Sequence, residues 1–536
     1  MSTFLTNPIL TGFHPDPSII RVGADYYLAT STFEWFPGVQ IYHSRDLQHW
    51  ELIARPLRRR SQLDLRGVPD SGGVWAPCLS YDRGTFYLVY SNLRSFDGPW
   101  KDVPNFLVTT QDIRGDWSEP CFLTASGFDA SLFHDWDGKK WLVHLLVDHR
   151  DNRLFGGIVL QEWDPVLQRL VGPRRPIFQG TDLGRTEGPH LYRRGDYYYL
   201  LTAEGGTEYG HAVTLARSRH LEGPYEVHPH HPLLSSRDCP EHPLQKTGHA
   251  DWVMGENGDC HLVFLTGRPL TTGGRCTLGR ETALEVLEWR ADAWPYLAGG
   301  GRLARLHVPA PPLPPHPFPT PPARHHWETG PLPPVFQSLR RPIDENWLQI
   351  RSRAPGLRLR GGDSLSSLHE QSLIARRVQH FHCRAATELH FLPEHFQQLA
   401  GLVAYYNTAH YYYLHLRGDD TGTQTQLQLL ACDHYQTVEL LRPPLVLPRG
   451  ERVRLQLEWR GADLQFFYAL DAENWRTVGP TLDGSILSDD YVREGDHRYR
   501  PAFTGAFVGI CCQDLSGQQI PADFFWWEYA ELTNEK

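Results

Sequence analysis

The stretch GFHPDPS, from Gly12 to Ser18, places Asp16 between Pro15 and Pro17. The two prolines restrict the backbone on both sides of this carboxylate. A carboxylate fixed in this way at the start of a strand is suited to taking a proton from one direction. The same three residues also form ordinary stiff turns, so the motif by itself does not decide between a catalytic base and a turn.

The pattern that begins at Asp16 recurs along the chain, and this repetition predicts the fold. Each repeat has a first residue, a short apolar strand, a Gly-containing turn and a second, aromatic-rich strand. The repeats begin, about 60 residues apart, at Asp16, Ala76, Asp129, Glu187 and His249. A regular period of strand–turn–strand units indicates a propeller or an array. Five units of about four strands each predict a five-bladed β-propeller.

The propeller geometry also predicts a functional site. The innermost strand of every blade lines the central channel, so residues at the starts of these strands cluster at one end. We therefore expect Asp16, Asp129, Glu187 and His249 to converge in space. One such residue alone is explained by turn chemistry, whereas three carboxylates and a histidine at equivalent positions indicate a catalytic site.

The composition is that of an ordinary globular protein. The chain has 536 residues, of which 40% are hydrophobic and 21% charged, with a formal net charge of −10. The mild acidity argues against a nucleic-acid partner or an anionic membrane surface. The N-terminal sequence lacks a basic region followed by an apolar run, so no secretory signal is expected. No stretch approaches the roughly 18 apolar residues of a membrane span.

The length and the change of pattern along the chain predict two domains joined by a linker. We expect a propeller over residues 1–308, a Pro-rich linker over 309–324 and an antiparallel β-sandwich over 325–536. The linker contains PAPPLPPHPFPTPPA, which should be extended and stiff. It is either a spacer that lies along a domain surface or a docking segment for an SH3-like partner.

Several motifs resemble the family 43 glycoside hydrolases, specifically their two-domain β-xylosidases. The similarity extends through the whole chain and is carried by HPDPS, GFDASLF, RTEGPHLY, GHADW, STFEWFPGV, GGVWAPCLSY and FTGAFVG. The resemblance implies an all-β protein in which a five-bladed propeller precedes a concanavalin-like β-sandwich. It also implies hydrolysis of β-1,4-xylosidic bonds with inversion of the anomeric configuration.

An inverting hydrolase needs a general base that activates water and a general acid for the leaving oxygen, roughly 6.5–9.5 Å apart. Asp16 is the predicted base and Glu187, with its longer side chain, the predicted acid. Asp129 is predicted to raise the pKa of Glu187 by like-charge repulsion and to orient it. In the alternative, retaining mechanism Asp129 would be the nucleophile, and the carboxylates would lie only about 5–5.5 Å apart.

Two further residues complete the predicted polar site. By the resemblance, Arg280 contacts both the base and the sugar; the alternative is a surface salt bridge. His249 is a proton carrier, a channel histidine with satisfied hydrogen bonds, or an indirect ligand of a divalent ion. The resemblance favours a Ca²⁺ ion that contacts His249 through water, although the chemistry itself requires no cofactor.

Aromatic residues at the blade starts predict a wall against which the apolar face of a pyranose stacks. These residues are Phe33, Trp75 and Phe128. The resemblance adds Phe503, an aromatic residue of the second domain directed to the mouth of the site. Val147 stands where the resembling enzymes carry an aromatic residue, which indicates a wider subsite or a changed substrate preference.

The sequence thus predicts an exo-acting glycosidase that releases xylose from the non-reducing end of short xylo-oligosaccharides. Nine cysteines without CxxC spacing are expected to be reduced thiols, which favours a cytoplasmic location. The competing activity is that of an α-L-arabinofuranosidase, alone or in addition. A hypothesis from another class is a non-catalytic, carbohydrate-binding propeller, and a third is a scaffold that docks partners through its Pro-rich run. The resemblance also suggests a homo-oligomer, a dimer or a tetramer.

Overall fold

The computed structural model describes residues 4–95, 100–328, 330–351, 355–494 and 502–533, which form two compact units. The first unit comprises Met1–Leu63, Gly72–Gly273 and Arg280–Phe318. The second comprises Asp64–Ser71, Gly274–Gly279 and Pro319–Lys536. No helix in the described part of the chain is long and apolar enough to cross a membrane.

The first unit consists of strands and one short 3₁₀ turn, Arg150–Asn152. Its strands are β1 (Phe4–Thr6), β2 (Ser18–Val22), β3 (Asp25–Thr30), β4 (Trp35–Phe36), β5 (Gln40–Ser44), β6 (Glu51–Ala54), β7 (Gly73–Asp82), β8 (Thr85–Leu93), β9 (Asn105–Thr110), β10 (Cys121–Thr124), β11 (Gly127–His134), β12 (Lys140–Val147), β13 (Phe155–Asp164), β14 (Arg169–Phe178), β15 (Glu187–Arg194), β16 (Tyr197–Glu204), β17 (Ala212–Ser218), β18 (Glu226–Val227), β19 (Gln245–Met254), β20 (Cys260–Gly267), β21 (Arg280–Trp289), β22 (Pro295–Leu297) and β23 (His307–Pro309).

These strands form five four-stranded antiparallel sheets, which are the blades of a propeller. In chain order the blades are β2-β3-β5-β6, β7-β8-β9-β10, β11-β12-β13-β14, β15-β16-β17-β18 and β19-β20-β21-β22. The first strand of each blade contacts the first strand of the next, and β19 contacts β2, so these five strands close a ring. The predicted five-bladed propeller is confirmed.

Apolar side chains fill the space between neighbouring blades. One cluster joins Val89 and Leu107 of the second blade to Leu132 and Leu142 of the third, all with at most 4% of their surface exposed. Similar clusters join the fourth blade to the fifth and the fifth to the first. The alternation of apolar residues along the repeats, which predicted the blades, is therefore the pattern that packs them together.

The same backbone conformation marks the start of every blade. A positive φ occurs at Asp16 (54°), Ala76 (29°), Asp129 (53°), Gly188 (57°) and His249 (38°). In the last four blades the strand register shifts at this residue, as in a β-bulge. Bulges of this kind redirect a side chain and are frequent beside active sites.

The bulges correct the sequence alignment in the fourth blade. There the residue with positive φ is Gly188, not Glu187. Glu187, which pairs with Ala203, is the last paired residue before the bulge. Trp75 and Phe128 hold the same position in the second and third blades. The predicted equivalence of Glu187 with Asp16 and Asp129 is thus wrong by one residue.

The Pro-rich run continues along the first unit after β23, which pairs with β1. The backbone N–H of His316 donates to Asp46 Oδ2 at 2.7 Å, and the Phe318 ring lies 5.8 Å from that of His43. Residues 310–323, all of them described, contain no helix or strand. The part of the run that ends at Phe318 therefore lies with the first unit, whereas residues 319–323 belong to the second. The docking of a partner stays a prediction.

The second unit is also built of strands, with a 3₁₀ turn at Gly484–Ile486 and one short helix, α1 (Asp489–Arg493). Its strands are β24 (Arg324–His326), β25 (Gln337–Leu339), β26 (Leu348–Arg351), β27 (Gly356–Arg360), β28 (Ser372–Arg377), β29 (His382–Phe391), β30 (Gln398–Asn407), β31 (His410–Gly418), β32 (Thr425–Asp433), β33 (Gln436–Glu439), β34 (Leu445–Leu447), β35 (Val453–Arg460), β36 (Asp463–Ala469), β37 (Arg476–Asp483), β38 (Phe507–Asp514) and β39 (Pro521–Glu531).

Two antiparallel sheets share the core of this unit. One has the order β26-β27-β39-β29-β35-β36-β37 with β24 beside β39; the other runs β33-β32-β31-β30-β38-β28-β25 with β34 beside β32. Their inward side chains, such as Leu389 and Leu457 from the first sheet and Leu402 and Leu414 from the second, form one buried cluster. The predicted β-sandwich is confirmed. All nine cysteines of the chain are free.

A buried ion pair joins the segment Asp64–Ser71 to the rest of the second unit. The Arg340 side chain is fully buried, and its Nη2 lies 2.6 Å from Asp70 Oδ1. Its Nε also donates to the carbonyl of Val68 at 2.7 Å. The other oxygen of Asp70 accepts from the backbone and the hydroxyl of Thr408. Each charged group is thus paired and hydrogen-bonded, which burial requires.

Replacing Asp70 tests this arrangement. Asp70→Ala leaves the Arg340 guanidinium buried without its carboxylate, which should reduce the free energy of unfolding of the second unit by about 3–5 kcal/mol. Urea unfolding, followed by hydrogen exchange in the strands of the sandwich, measures this change. The matched control is Asp64→Ala, which removes the partner of Arg66 from a partly exposed pair in the same segment. Its cost should stay within about 1 kcal/mol; equal effects of the two substitutions would contradict the assigned role of Asp70.

Candidate active site

Asp16 lies in the segment before β2 and is only 5% exposed. The hydroxyl of Ser31 donates to its Oδ2 at 2.6 Å, and Arg280 Nη1 donates to its Oδ1 at 3.3 Å. His249 Nδ1 lies 3.8 Å from the same Oδ1. Burial raises the pKa of Asp16, but Arg280, His249 and the Ser31 hydroxyl outweigh this effect and leave the pKa below its usual value. Asp16 is therefore ionised at neutral pH and able to accept a proton.

Asp129 and Glu187 have the opposite electrostatic setting. Desolvation raises the pKa of Glu187 well above its usual value, and repulsion from Asp129 and then from Asp16 adds to this. Desolvation, followed by repulsion from Asp16, also raises the pKa of Asp129, whose Oδ2 accepts from the Gly188 N–H at 3.1 Å. Because Asp129 is buried, Glu187 is partly buried and the two carboxyls repel each other, together they retain at least one proton at neutral pH.

The backbone at Gly188 brings three parts of the site into contact. Its φ is +57°, and a Cβ placed there would lie 3.0 Å from Cε1 of His249. A side chain at this position would therefore be strained and would displace the imidazole. Because the N–H of the same residue holds Asp129, this glycine fixes Asp129 against the fourth blade and His249 against the strand that carries Glu187.

Arg280 is the first residue of β21 and is 5% exposed. Besides Asp16, its Nη1 donates to Thr207 Oγ1 at 3.0 Å, and its guanidinium carbon lies 5.5 Å from the centre of the Phe33 ring. The alternative of a surface salt bridge is wrong, because both members of the Asp16 pair are buried. The guanidinium is positioned to act on Asp16 with little screening by solvent.

The predicted aromatic residues lie in a row across the first three blades. The ring centres of Phe33 and Trp75 are 6.3 Å apart, and those of Trp75 and Phe128 are 5.4 Å apart at 86°. Phe33 has a φ of +53°, which is strained for a bulky residue, and two backbone hydrogen bonds of 3.0 Å with Val74 hold it there. Strain that the surroundings enforce is typical of binding sites.

Phe503 and Val147 are the remaining predicted positions of the site. Phe503 belongs to the second unit, where it is 7% exposed and its N–H donates to Ser71 Oγ at 3.0 Å. Val147 ends β12, is partly exposed, and its N–H donates to the carbonyl of Ser126 at 3.0 Å. The contact of Phe503 with a sugar and the effect of Val147 on the subsite stay predictions.

His249 has a neighbour that the sequence did not reveal. Burial lowers the pKa of His249 to about 4 and that of His211 to about 3, so both imidazoles are neutral at pH 7. Ser31 and Thr207 were missed as well. Ser31 was recognisable in principle, because the β2–β3 hairpin pairs Ser18 with Ala29 and so sets residues 16 and 31 opposite each other. Thr207 and His211 follow β16 in a connecting segment with no comparable pattern.

The arrangement is suited to hydrolysis: one ionised carboxylate and one protonated carboxyl in a buried site lined by aromatic rings. Comparison with known proteins decides its family. Residues 5–295 match the model of glycosyl hydrolases family 43, and residues 324–530 match that of the beta xylosidase C-terminal concanavalin A-like domain.

The chain belongs to glycosyl hydrolases family 43. It is 50% identical over 539 residues to the beta-xylosidase of Bacillus subtilis (strain 168), covering 98% of this chain and 99% of the relative. It is also 50% identical over 528 residues to xylosidase/arabinosidase 43B of Humicola insolens, covering 98% and 97%. The crystal structure of xylan beta-1,4-xylosidase from Bacillus halodurans C-125 superposes with a TM-score of 0.95 at 49% identity, over 98% of this chain and 100% of that one.

The predicted resemblance is thereby confirmed, and the protein is a glycoside hydrolase. The chemistry of family 43 needs no cofactor, which agrees with a site whose reactive groups are carboxyls.

Removing the charge of Asp129 tests the electrostatics of the site. Asp129→Asn abolishes the repulsion that adds to the raised pKa of Glu187, so that pKa should fall. A group that acts in its protonated form then loses its proton at lower pH, and the alkaline limb of kcat/KM for an aryl glycoside should move to lower pH.

The matched control is Asp148→Asn, which removes a buried carboxylate after β12 that pairs with Arg150 and Arg153. This substitution should leave the alkaline limb where it is. An unmoved limb in Asp129→Asn, with a normal limb in the control, would show that Asp129 does not act on the group that titrates there.

Proposed function

We propose that this enzyme is an exo-acting β-xylosidase that hydrolyses β-1,4-xylosidic bonds with inversion and releases xylose from short xylo-oligosaccharides. The observation that carries the proposal is the opposite displacement of two pKa values in one buried site. The pKa of Asp16 is lowered while that of Glu187 is raised. The full-length similarity to the Bacillus and Humicola enzymes supports the sugar and the linkage.

Asp16 is the general base in this proposal. It removes a proton from the water that attacks the anomeric carbon, and Arg280 keeps it ionised until then. The Ser31 hydroxyl donates to Oδ2 and Arg280 to Oδ1, so each oxygen accepts one hydrogen bond and keeps a second lone pair for the proton of the water.

Glu187 is the general acid. It gives its proton to the leaving oxygen as the glycosidic bond breaks, and the raised pKa keeps that proton in place at neutral pH. Asp129 maintains the raised pKa and, held by the Gly188 N–H, keeps a fixed position beside the acid. Attack by water from the face opposite the leaving group converts the β-linkage into α-xylose.

The row formed by Phe33, Trp75 and Phe128 would bind the apolar face of the xylose ring. Arg280 and His249 would bind its hydroxyl groups, since both lie at the carboxylate that activates water. Phe503 is assigned to the same sugar-binding role from its motif alone.

A second candidate activity is that of an α-L-arabinofuranosidase, alone or combined with the first. The name of the Humicola relative, xylosidase/arabinosidase, favours it. The two sugars present similar hydroxyls, so the same three carboxyl groups can serve both. A non-catalytic sugar-binding propeller has no support, because binding does not require a protonated carboxyl beside an ionised one.

The Ca²⁺ ion predicted at His249 stays a prediction, and the donor set fits it poorly. Calcium takes six to eight oxygen ligands, whereas the groups around His249 include imidazoles and the Arg280 guanidinium, and the carboxylate beside it is Asp16. Among the described residues, no group of three or more metal-ligating side chains includes His249. The cytoplasmic location and the homo-oligomeric state also stay predictions.

The product of xylobiose hydrolysis tests the proposed function directly. Proton NMR during the first turnovers should show α-xylose appearing before mutarotation, together with the other xylose unit in its usual anomeric mixture. A first-formed β-anomer would establish retention and contradict the role of Asp16. Paired assays with p-nitrophenyl β-xyloside and p-nitrophenyl α-L-arabinofuranoside measure the balance of the two activities, and turnover of neither would remove both candidates.

Replacing the acid separates its role from binding. Glu187→Gln should reduce kcat on xylobiose by about 10²–10⁴-fold, because the leaving xylose needs a proton. The loss on p-nitrophenyl β-xyloside should be smaller, since p-nitrophenolate leaves without protonation. Xylose binding, measured by calorimetry, should persist. The control is Glu226→Gln, an exposed residue of the same blade. Equal losses on the two substrates would contradict the role of Glu187 as acid.

A further inference from the structure

The second unit contains a cluster of metal-ligating side chains far along the chain from the three carboxyl groups. We propose that His410, Asp433 and His434 form a binding site for a divalent transition-metal ion of the Zn²⁺ class. Each residue offers one ligand atom, and these three atoms lie within 4.8 Å of one another. The site is independent of the proposed glycosidase activity.

The three ligand atoms are near one another, and an ion would replace the hydrogen bond that joins His434 to Asp433. His434 Nδ1 lies 2.6 Å from Asp433 Oδ1, and His410 Nε2 lies 3.6 Å from the same oxygen. The two imidazole rings are 4.6 Å apart at 80°, so they approach the carboxylate from different directions. Ligand atoms around a tetrahedral Zn²⁺ are roughly 3.4 Å apart, given bonds of about 2.1 Å. Adjustments of about 1 Å in half-exposed side chains would bring all three into contact with one ion.

The surroundings of His410 direct a lone pair towards the cluster. Asn407 Oδ1 accepts from the N–H of Ala409 at 2.9 Å, which identifies this atom as the amide oxygen. The same oxygen lies 2.9 Å from His410 Nδ1, so Nδ1 must be the donor. In the neutral ring Nε2 then carries the lone pair. Metal-binding histidines are usually oriented in this way, by a hydrogen bond from the nitrogen that does not bind the ion.

Asp433 is oriented by a comparable contact. The Tyr491 hydroxyl donates to Oδ2 at 2.7 Å, which turns Oδ1 towards the two histidines. Hydrogen-bonded carboxylates of this kind are typical of metal sites.

The backbone fixes the three residues relative to one another. Asp433 ends β32, and His434 and Tyr435 form the two-residue turn to β33, with φ values of 49° and 62°. Both positive values are those of a tight type I′ hairpin turn. His410 begins the adjacent strand β31, where Tyr411 pairs with Cys432. Two of the ligands, Asp433 and His410, thus lie at neighbouring strand ends, and the third, His434, lies in the tight turn that directly follows β32.

The donor set selects the ion. Two imidazoles and one carboxylate suit Zn²⁺, Co²⁺, Ni²⁺ or Cu²⁺, whereas Ca²⁺ and Mg²⁺ prefer oxygen ligands alone. The side chains of Asp433 and His434 are 44% and 34% exposed, so an ion can enter from solvent and keep water as a further ligand. Because it would join β31 to the β32–β33 hairpin, a bound ion should stabilise the folded second unit.

The test uses the full-length protein after dialysis against a chelator. Titration with Zn²⁺ in a calorimeter should show that one ion binds per chain. Titration with Co²⁺, followed by its visible absorption, should give the same stoichiometry. His434→Gln and Asp433→Asn should each weaken this binding by about 100-fold or more, and Tyr491→Phe by about 10-fold. Circular dichroism verifies that each variant is folded, and Asp433→Asn retains an acceptor for Tyr491 should His434→Gln disturb the turn.

The matched control is His380→Gln. His380 belongs to the same unit, its side chain is 33% exposed, and it lies 3.7 Å from the carboxylate of Glu531. This variant should bind the ion as the unchanged protein does. Because the chain has 28 histidines, binding alone does not locate the site. The proposal would be overturned if the unchanged protein bound no ion, or if His380→Gln weakened binding as much as His434→Gln does. Loss of binding in Asp16→Asn with binding kept in His434→Gln would overturn it as well.

Discussion

The buried contact between Arg280 and Asp16 keeps one of the three carboxyl groups of the active site ionised. Three carboxyl groups in a desolvated hollow would all be driven towards the protonated form. The guanidinium, 3.3 Å from Asp16 Oδ1, places the negative charge on that one residue. Desolvation, followed by repulsion from this charge, raises the pKa of Asp129. Desolvation, followed by repulsion from Asp129 and then from Asp16, raises the pKa of Glu187. One cation thus separates the three otherwise similar side chains into a base and a pair that holds a proton.

This contact depends on closure of the propeller. Asp16 precedes the first strand of the first blade, while Arg280 begins the third strand of the last blade. The backbone of the two segments is joined nearby, where the His14 N–H donates to the Arg280 carbonyl at 2.8 Å and Leu10 forms a bridge with Thr282. A residue pair separated by 264 positions in sequence is therefore formed by the step that completes the ring.

Much of this arrangement could be predicted from the sequence, because each repeat corresponds to one blade and several repeats begin with an acidic residue. The misalignment at Glu187 has a physical cause. An alignment of the repeats on their acidic residues places Glu187 level with Asp16 and Asp129. In the structure the equivalent residues are those with positive φ, and in the fourth blade that residue is Gly188. Thr207 and His211 lie in a connecting segment outside the repeated strands, so the periodic pattern could not predict their contacts. The grouping of Asp64–Ser71 with the second unit depends on long-range contacts, such as those of Asp70 with Arg340 and Thr408, which no local sequence pattern indicates.

His249 shows how the separate elements act as one site. Burial lowers its pKa to about 4, so at neutral pH the ring is uncharged and does not compete with Arg280 for Asp16. This argues against a proton carrier at that pH and favours a histidine that holds the channel in shape. On one side Nδ1 lies 3.8 Å from Asp16; on the other the ring fills the space that a side chain at Gly188 would need. Since Gly188 holds Asp129 through its N–H and directly follows Glu187, a continuous series of contacts runs from Arg280 through Asp16 and His249 to the acid. The neutral imidazole of His249 therefore helps to hold the neighbouring residues in place, while the Arg280 guanidinium keeps Asp16 ionised.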